Sequence, residues 1–495
     1  MPPETGKLSI KEKIGYSVGD ASANFVFQTM LIFQLSFYTD TFGITAAAAG
    51  TLFLVVRVWD AIFDPLMGVV ADRTNTRWGK FRPWVLWMAV PFGLMFWLTF
   101  TTPDFGPSGK LVYAYVTYTL LMMVYSANNL PYSALNGVMT GNVDERTSLS
   151  SYRFIAAMGA AFVVQGLTLP LVDKFGQGNN AKGWQVTIGI FSILSVIFFV
   201  ITFLSARERI VPDPRQKTSI RQDFADLFKN GPWLTMFLLT LFLFITLAMR
   251  GGTMAYYFNY YVDKNQLFEF LQGCGLGAAV SGDASWWKSA LNAFGLILAG
   301  DRSNAASVGF SLFNMSSQFM NIVGVLFSTW LAMRFGKKAV FVVGLFFTAV
   351  FSGLFILLPP TAIGLTFFLQ ILMSLAYGPT IPLLWAMMGD VADHSEWKTS
   401  RRATGIVFAG LVFALKAGLG FGGAIGGWLL DAYGYVPNVE QTATALTGIR
   451  LTASVYPAIV FLVGVACLFF YPITKELSLR IQNELAERRR QFKYS

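Results

Sequence analysis

The chain has 495 residues, of which 54% are hydrophobic, 16% aromatic and only 13% charged, whereas an average soluble domain is roughly 25% charged. That balance argues against a soluble enzyme. Apolar runs approaching 20 residues recur along the whole chain and identify an all-α polytopic membrane protein. The net charge of +10 comes from Lys and Arg placed between the apolar runs and not from a separate basic domain, so no nucleic-acid partner is expected.

In chain order, stretches near 15–40, 46–72, 83–101, 111–140, 148–173 and 184–205 each offer enough apolar residues to span a bilayer, and a second six lie near 233–262, 306–332, 339–358, 360–392, 402–433 and 450–473. The pattern predicts twelve helices in two sets. An N-terminal six-helix set covers 1–205, a charged linker containing Pro212 and Pro214 covers 206–232, and a C-terminal set covers 233–474. A basic tail follows at 475–495. With both termini in the cytoplasm, the cytoplasmic segments hold most of the 37 Lys and Arg, as the positive-inside rule requires. The tail is then held near anionic lipid at most. The polar first 13 residues carry no signal-peptide pattern, so the first apolar run is expected to stay in the mature protein.

Residues 263–305 interrupt this rhythm with apolar pieces short for spanning. They read as an external excursion with surface helices, two additional spans being the alternative. Weak internal repetition relates the halves: Gly79-Lys80 and Gly336-Lys337 each sit in a basic turn, and PYSALNGVMTGNVD (131–144) echoes PLLWAMMGDVAD (382–393).

Ionisable side chains inside apolar helices cost about 2.5 to 3.5 kcal/mol each on insertion scales, so each is a functional candidate. Arg57, Asp60 and Asp64 are spaced i, i+3, i+7 and share one helical stripe. Two carboxylates one turn apart repel and draw in a proton or a cation, partly offset by Arg57; the alternative is a static ion-pair cluster. Asp20, Arg153, Arg250 and Lys416 bring both signs of charge from both halves, as a polar cavity for hydroxyl-rich cargo would need, or serve as structural ion pairs. Arg250 reads as the most structural. Trp59, Tyr125, Tyr132 and Trp385 are candidate stacking faces for a sugar ring.

Gly418, Gly422 and Gly426 form a small-residue stripe read as close helix packing. His394, the only histidine, reads as a solvated loop residue. No HExxH, GxxxxGK[ST] or GxSxG motif is present, so energy for pumping is expected from an ion gradient, with no cofactor. The two cysteines, Cys274 and Cys467, suggest neither a disulfide framework nor a zinc site.

GYSVGDA (15–21), RVWDAIFDPLMGVVADRTNTRWGKFRPW (57–84), SLSSYRF (148–154), DVADHSEWKTSRRATG (390–405) and FALKAGLGFGG (413–423) resemble the glycoside-pentoside-hexuronide:cation symporters of the major facilitator superfamily. The resemblance runs nearly end to end apart from 263–305. It implies the major facilitator fold, two six-helix bundles with alternating access, a bacterial inner membrane and a monomer. It assigns Asp60 and Asp64 to the cation site and Asp20 and Arg153 to the sugar, with Lys416 beside the charge network. Phe63 stands where the best-studied member has an asparagine needed for sodium, and a phenyl ring offers no oxygen ligand. Ser126 keeps a hydroxyl at the same site. The resemblance therefore implies H+ coupling in preference to Na+, with no full metal site. Asn129 and Ser133 replace that member's galactoside-recognising pair, so the galactosyl specificity is not carried over and the sugar or glycoside stays open between neutral and acidic.

The expected function is cation-coupled symport of a sugar, glycoside or sugar acid, with membrane lipid as the surrounding partner. A carrier of lipid-like or other amphiphilic cargo on the same fold is the alternative. A membrane glycosidase fits poorly, because its two carboxylates must flank a bond about 5 to 9.5 Å apart and not share one helical stripe.

Overall fold

The computed structural model describes residues 7–140, 142–209, 230–277, 286–399 and 404–494. Most of the linker (210–229), part of the excursion (278–285) and residues 400–403 of the 390–405 motif lie outside the described residues. The described chain is helical throughout, with one isolated bridge pair, Thr76 and Gly79. Each of the twelve predicted stretches is helical over most of its described residues. Nine described helical stretches are long and apolar enough to cross a membrane. The other three are α1 (Ile10–Ser36), the pair α3 (Arg82–Trp87) and α4 (Ala89–Thr99), and α5 (Pro107–Met139). Their shortfall has a physical cause. α1 and α5 carry many polar residues, including Asp20, Asn24, Gln28, Ser126, Asn128 and Asn129, while α3 and α4 are separated at Met88.

Local chemistry sets the ends of the remaining early helices. A capping box at Ser9 and Glu12 starts α1, and a π turn over Phe37–Phe42 ends at Gly43 (φ 86°), a left-handed position suited to glycine. Thr45 caps α2 (Ala46–Arg73), and Asn179 caps α7 (Asn180–Ser205), which follows α6 (Val143–Gly176). In the second half come α8 (Gly231–Tyr256), α9 (Lys264–Leu271), α10 (Trp286–Ala293), α11 (Ala305–Phe335) and α12 (Lys337–Leu354). Among its described residues the excursion contains two eight-residue helices, each about 12 Å long and far short of a bilayer, α9 running on into a π turn over Gln272–Leu276.

Besides 83–101, split at Met88, two predicted single helices are broken. The 360–392 stretch is α13 (Ile363–Tyr377) and α14 (Thr380–Thr399), split at Gly378-Pro379, where a Cβ on Gly378 would lie 2.6 Å from the Asn321 carbonyl of α11. After α15 (Thr404–Ala432), the 450–473 stretch divides at Ser454 into α16 (Ala443–Ala453) and α17 (Val455–Phe469). The tail is a further helix, α18 (Lys475–Tyr494), with Ile481 and Leu485 buried and Glu484 accepting from Trp397 Nε1 at 2.6 Å. His394 is not in a loop: α14 runs through it, and it is buried beside Trp397.

The chain forms two compact units. One comprises Met1–Pro214, Gly251–Met315 and Ala424–Ile449. Its core is aromatic, with Phe37 at 4.9 Å from Phe100 and 5.4 Å from Trp184, ring centre to ring centre. The other comprises Arg215–Arg250, Ser316–Gly423 and Arg450–Ser495, around a core that includes Trp233, Met236, Phe341, Met387, Leu411 and Phe461. In this second unit a Cβ on Gly418 would sit 2.6 Å from Leu241 O, and one on Gly422 would meet Ile245 O. The stripe is a close crossing of α15 over α8. Arg250 is buried, donating to Gln370 Oε1 at 2.8 Å over the Phe355 ring.

The basic turns are held by acids from later in the chain. Gly79 has φ 112°, and a Cβ there would lie 2.5 Å from the Glu208 carboxyl. That carboxylate accepts the backbone N–H groups of Lys80 (2.8 Å), Phe81 (2.7 Å) and Arg82 (2.8 Å), closing the N-terminus of α3. Gly336 likewise has positive φ (84°), and Lys337 pairs with Asp390 at 2.7 Å.

Candidate functional site

Two charge clusters form in the first unit, both built on helices that bury ionisable groups. On α2 the i, i+3 spacing brings Arg57 Nη1 within 3.4 Å of Asp60 Oδ2, and Ser126 Oγ on α5 donates to Asp60 Oδ1 at 2.9 Å. Asp60 is 1% exposed, so its charge is removed from water and is met by protein groups such as these two. Asp64 follows one turn on, half-buried, with the Phe63 ring between them in sequence. Tyr118 of α5 is buried close to Arg57.

The second cluster joins α1 and α6. Arg153 approaches Asp20 with two nitrogens, Nε to Oδ2 at 3.4 Å and Nη2 to Oδ1 at 3.4 Å. The guanidinium lies over the rings of Tyr132 (4.9 Å) and Tyr16 (5.7 Å), a cation–π platform that holds its plane. Tyr16 and Tyr132 stack at 4.6 Å and bond reciprocally: Tyr16 OH donates to Tyr132 O at 2.8 Å, and Tyr132 OH donates to Tyr16 O at 2.9 Å. Gly19 makes this possible, because a Cβ there would lie 2.7 Å from the Tyr132 ring. Tyr125 of α5, its ring 5.9 Å from that of Phe92, is within electrostatic reach of acids of both clusters.

Asn129 is half-buried and Ser133 exposed, one helical turn apart on α5. Trp59 on α2 is 44% exposed. Lys416 on α15 and Trp385 on α14 belong to the second unit, and Trp385 is 42% exposed. The structure thus brings together Asp20 with Arg153, and Arg57 with Asp60 and Ser126. Sequence reasoning missed Tyr16 and Tyr118. The GYSVGDA run carries the signal for Tyr16, since a tyrosine and a glycine three apart share a face with Asp20.

A family model described as MFS/sugar transport protein matches residues 15–295 and 301–475. The chain belongs to this family. The transporter is 34% identical to the inner membrane symporter YicJ of Escherichia coli K12 over 98% of this chain and 96% of that protein. It is 31% identical to the isoprimeverose transporter of Lactiplantibacillus pentosus over 94% and 89%. A solved bacterial homologue of the human lysosomal transporter Spinster superposes with a TM-score of 0.64 at 14% identity, covering 96% of this chain and 99% of that one, which establishes the major facilitator fold alone. The resemblance to glycoside-pentoside-hexuronide:cation symporters is borne out. The transporter is a multi-pass bacterial inner-membrane protein that carries a small molecule and is not an enzyme.

Proposed function

We propose that the transporter is a symporter that couples entry of a sugar or glycoside to a cation, with H+ favoured over Na+. The observation that carries this reading is Asp60, a carboxylate buried in a spanning helix with a second carboxylate, Asp64, one turn away. On the α2 stripe one cation, Arg57, stands with two carboxylates, and a bound positive ion would reduce the repulsion between them. Phe63 supplies no oxygen beside it, which favours the proton, since sodium needs several hard oxygens.

The cargo end of the site is the Asp20–Arg153 pair. Its separations of 3.4 Å leave a loose ion pair into which sugar hydroxyls can insert, accepting from the guanidinium and donating to the carboxylate. Asn129 and Ser133 are proposed as further recognition residues of the first unit, and Lys416 and Trp385 as recognition residues of the second, Trp385 offering an exposed ring for stacking. The Arg153 charge is already balanced by Asp20, which favours a neutral glycoside over an acid. Both termini face the cytoplasm in this reading. Cation and sugar each tighten the binding of the other, and occupancy of both permits the switch between outward and inward access.

The test is uptake into proteoliposomes across a panel of neutral and acidic glycosides, with sodium replaced by choline and pH gradients imposed separately. Sugar-dependent proton entry supports the reading, and sodium stimulation without a proton response overturns the choice of ion. Asp64→Asn abolishes concentrative uptake while retaining exchange; undiminished accumulation in that variant refutes the coupling role.

A further inference from the structure

Asp40 lies in the π turn that ends α1, twenty residues beyond Asp20 and outside both clusters. It gathers donors from two distant segments of the first unit and from its own turn. Tyr260, in the π turn after α8, donates its hydroxyl to Asp40 Oδ2 at 3.0 Å. Tyr435, in the turn after α15, donates its hydroxyl proton to Oδ1, and its hydroxyl oxygen lies 3.1 Å from that of Tyr260. Asn438 donates its side-chain amide to the Asp40 backbone carbonyl at 2.7 Å and its backbone N–H to Tyr260 OH at 3.1 Å. Beneath these, Thr39 is buried against Tyr256 OH at 2.7 Å and donates to Asp40 Oδ1 at 2.6 Å.

The same end of the unit is closed by glycine contacts. A Cβ on Gly50 of α2 would lie 2.7 Å from Ala424 O of α15, and one on Gly427 would meet Ala46 O. On α8, a Cβ at Gly251 would lie 3.4 Å from Leu31 O of α1. A cavity of about 690 Å³ lined by Asp40, Asp173, Tyr260, Lys264, Asn438 and Gln441 brings the network to a polar surface. A carboxylate that bonds two tyrosine hydroxyls and lies beside a polar cavity can exchange them for water at modest cost, because each hydroxyl then finds another partner. The α2–α15 crossing carries one further exchangeable bond, Trp428 Nε1 donating to Thr51 Oγ1 at 3.1 Å. The Asp40 carboxylate joins more segments of this end than that single bond does.

We propose that Asp40 is a positioning residue of the transport cycle: its bonds to Tyr260 and Tyr435 hold the outer ends of α1 and α8 and the turn after α15 together, and their release admits cargo from outside. This rests on the symport reading above for its direction and on the geometry alone for the latch.

The experiment measures labelling of Leu31→Cys by a membrane-impermeant maleimide added outside intact cells, with the exposed native thiol removed by Cys274→Ser. Leu31 lies nine residues inward from Asp40, about 13 Å along α1. Labelling is slow in this background and rises about tenfold or more in Asp40→Asn and in the Tyr260→Phe, Tyr435→Phe double variant, as the loss of two bonds to a charged acceptor predicts. Asn438→Gly, which preserves the positive φ of 59° while removing one bond, gives a smaller rise and keeps the proposal testable if the stronger variants fail to fold. Unchanged labelling in folded variants overturns the latch. Faster labelling in a protein that moves no sugar in any assay upholds the latch and sinks the symport reading instead.

Discussion

The Ser126 hydroxyl donates to Asp60 at 2.9 Å, joining α5 to the most deeply buried carboxylate of α2. The bond matters because Asp60 is buried away from water and its charge must be met by protein groups. A hydrogen bond to a charged group in such a place is worth about 1.5 to 3 kcal/mol.

Removing that hydroxyl is expected to weaken coupling. Ser126→Ala lowers sugar accumulation by roughly tenfold, the lower bound of that energy expressed as a ratio, and Ser126→Thr restores most of it. Accumulation ratios in cells of matched expression measure this, and equal ratios for Ser126→Ala and the parent would count against the role.

Arg153 is expected to resist conservative replacement. Lysine keeps the charge but loses the planar fork that meets both Asp20 oxygens and the face that lies on Tyr132. Arg153→Lys weakens sugar binding by about tenfold or more while thermal stability stays near that of the parent. Calorimetric titration and a melting curve on the same sample separate the two effects.

Glu208 is expected to matter for folding and not for chemistry. Its carboxylate takes three backbone N–H groups at the start of α3, and Glu208→Ala leaves all three without that acceptor, at a cost of about 2 kcal/mol or more. The melting temperature of the purified protein falls, while the sugar affinity of the fraction that remains folded is unchanged. Loss of affinity with normal stability would place Glu208 in the cycle instead.

Acid should loosen the N-terminal tether. Burial works to raise the Glu12 carboxyl, but the Arg209 guanidinium at 2.6 Å prevails and holds it below its ordinary value of 4.5. A carboxyl depressed in the folded state contributes stability that is present above its unfolded value and is lost as pH falls through the folded one. Unfolding curves from pH 7 to pH 3 should therefore show Glu12→Gln less stable than the parent near neutrality, with the difference vanishing in acid. A constant difference across the range would exclude this tether as its source.

Particular residues mark where sequence reading succeeded and where it stopped. Arg57, Asp60 and Asp64 were legible because their relation is local: one helix fixes the stripe. The glycine stripe at Gly418 and Gly422 was legible for the same reason, and α8 fills it. The breaks at Gly378-Pro379 and Ser454 were not. An apolar run stays apolar across a break, so hydropathy cannot register where the axis changes. His394 was misplaced because DHSEWK reads as polar, although α14 continues through it and buries one face.

By itself the sequence determined that this chain is a helical membrane transporter with charged residues it could not keep in lipid without a purpose, because hydropathy and helical spacing are properties of neighbours along the chain. Only the tertiary structure decided that Ser126 serves Asp60, that Tyr16 and Tyr132 clasp each other beneath Arg153, and that Asp40 gathers two tyrosines from beyond residue 250. Such pairings depend on which faces of distant helices meet, and a hydrogen bond between residues hundreds of positions apart leaves no periodic trace in either partner's own segment.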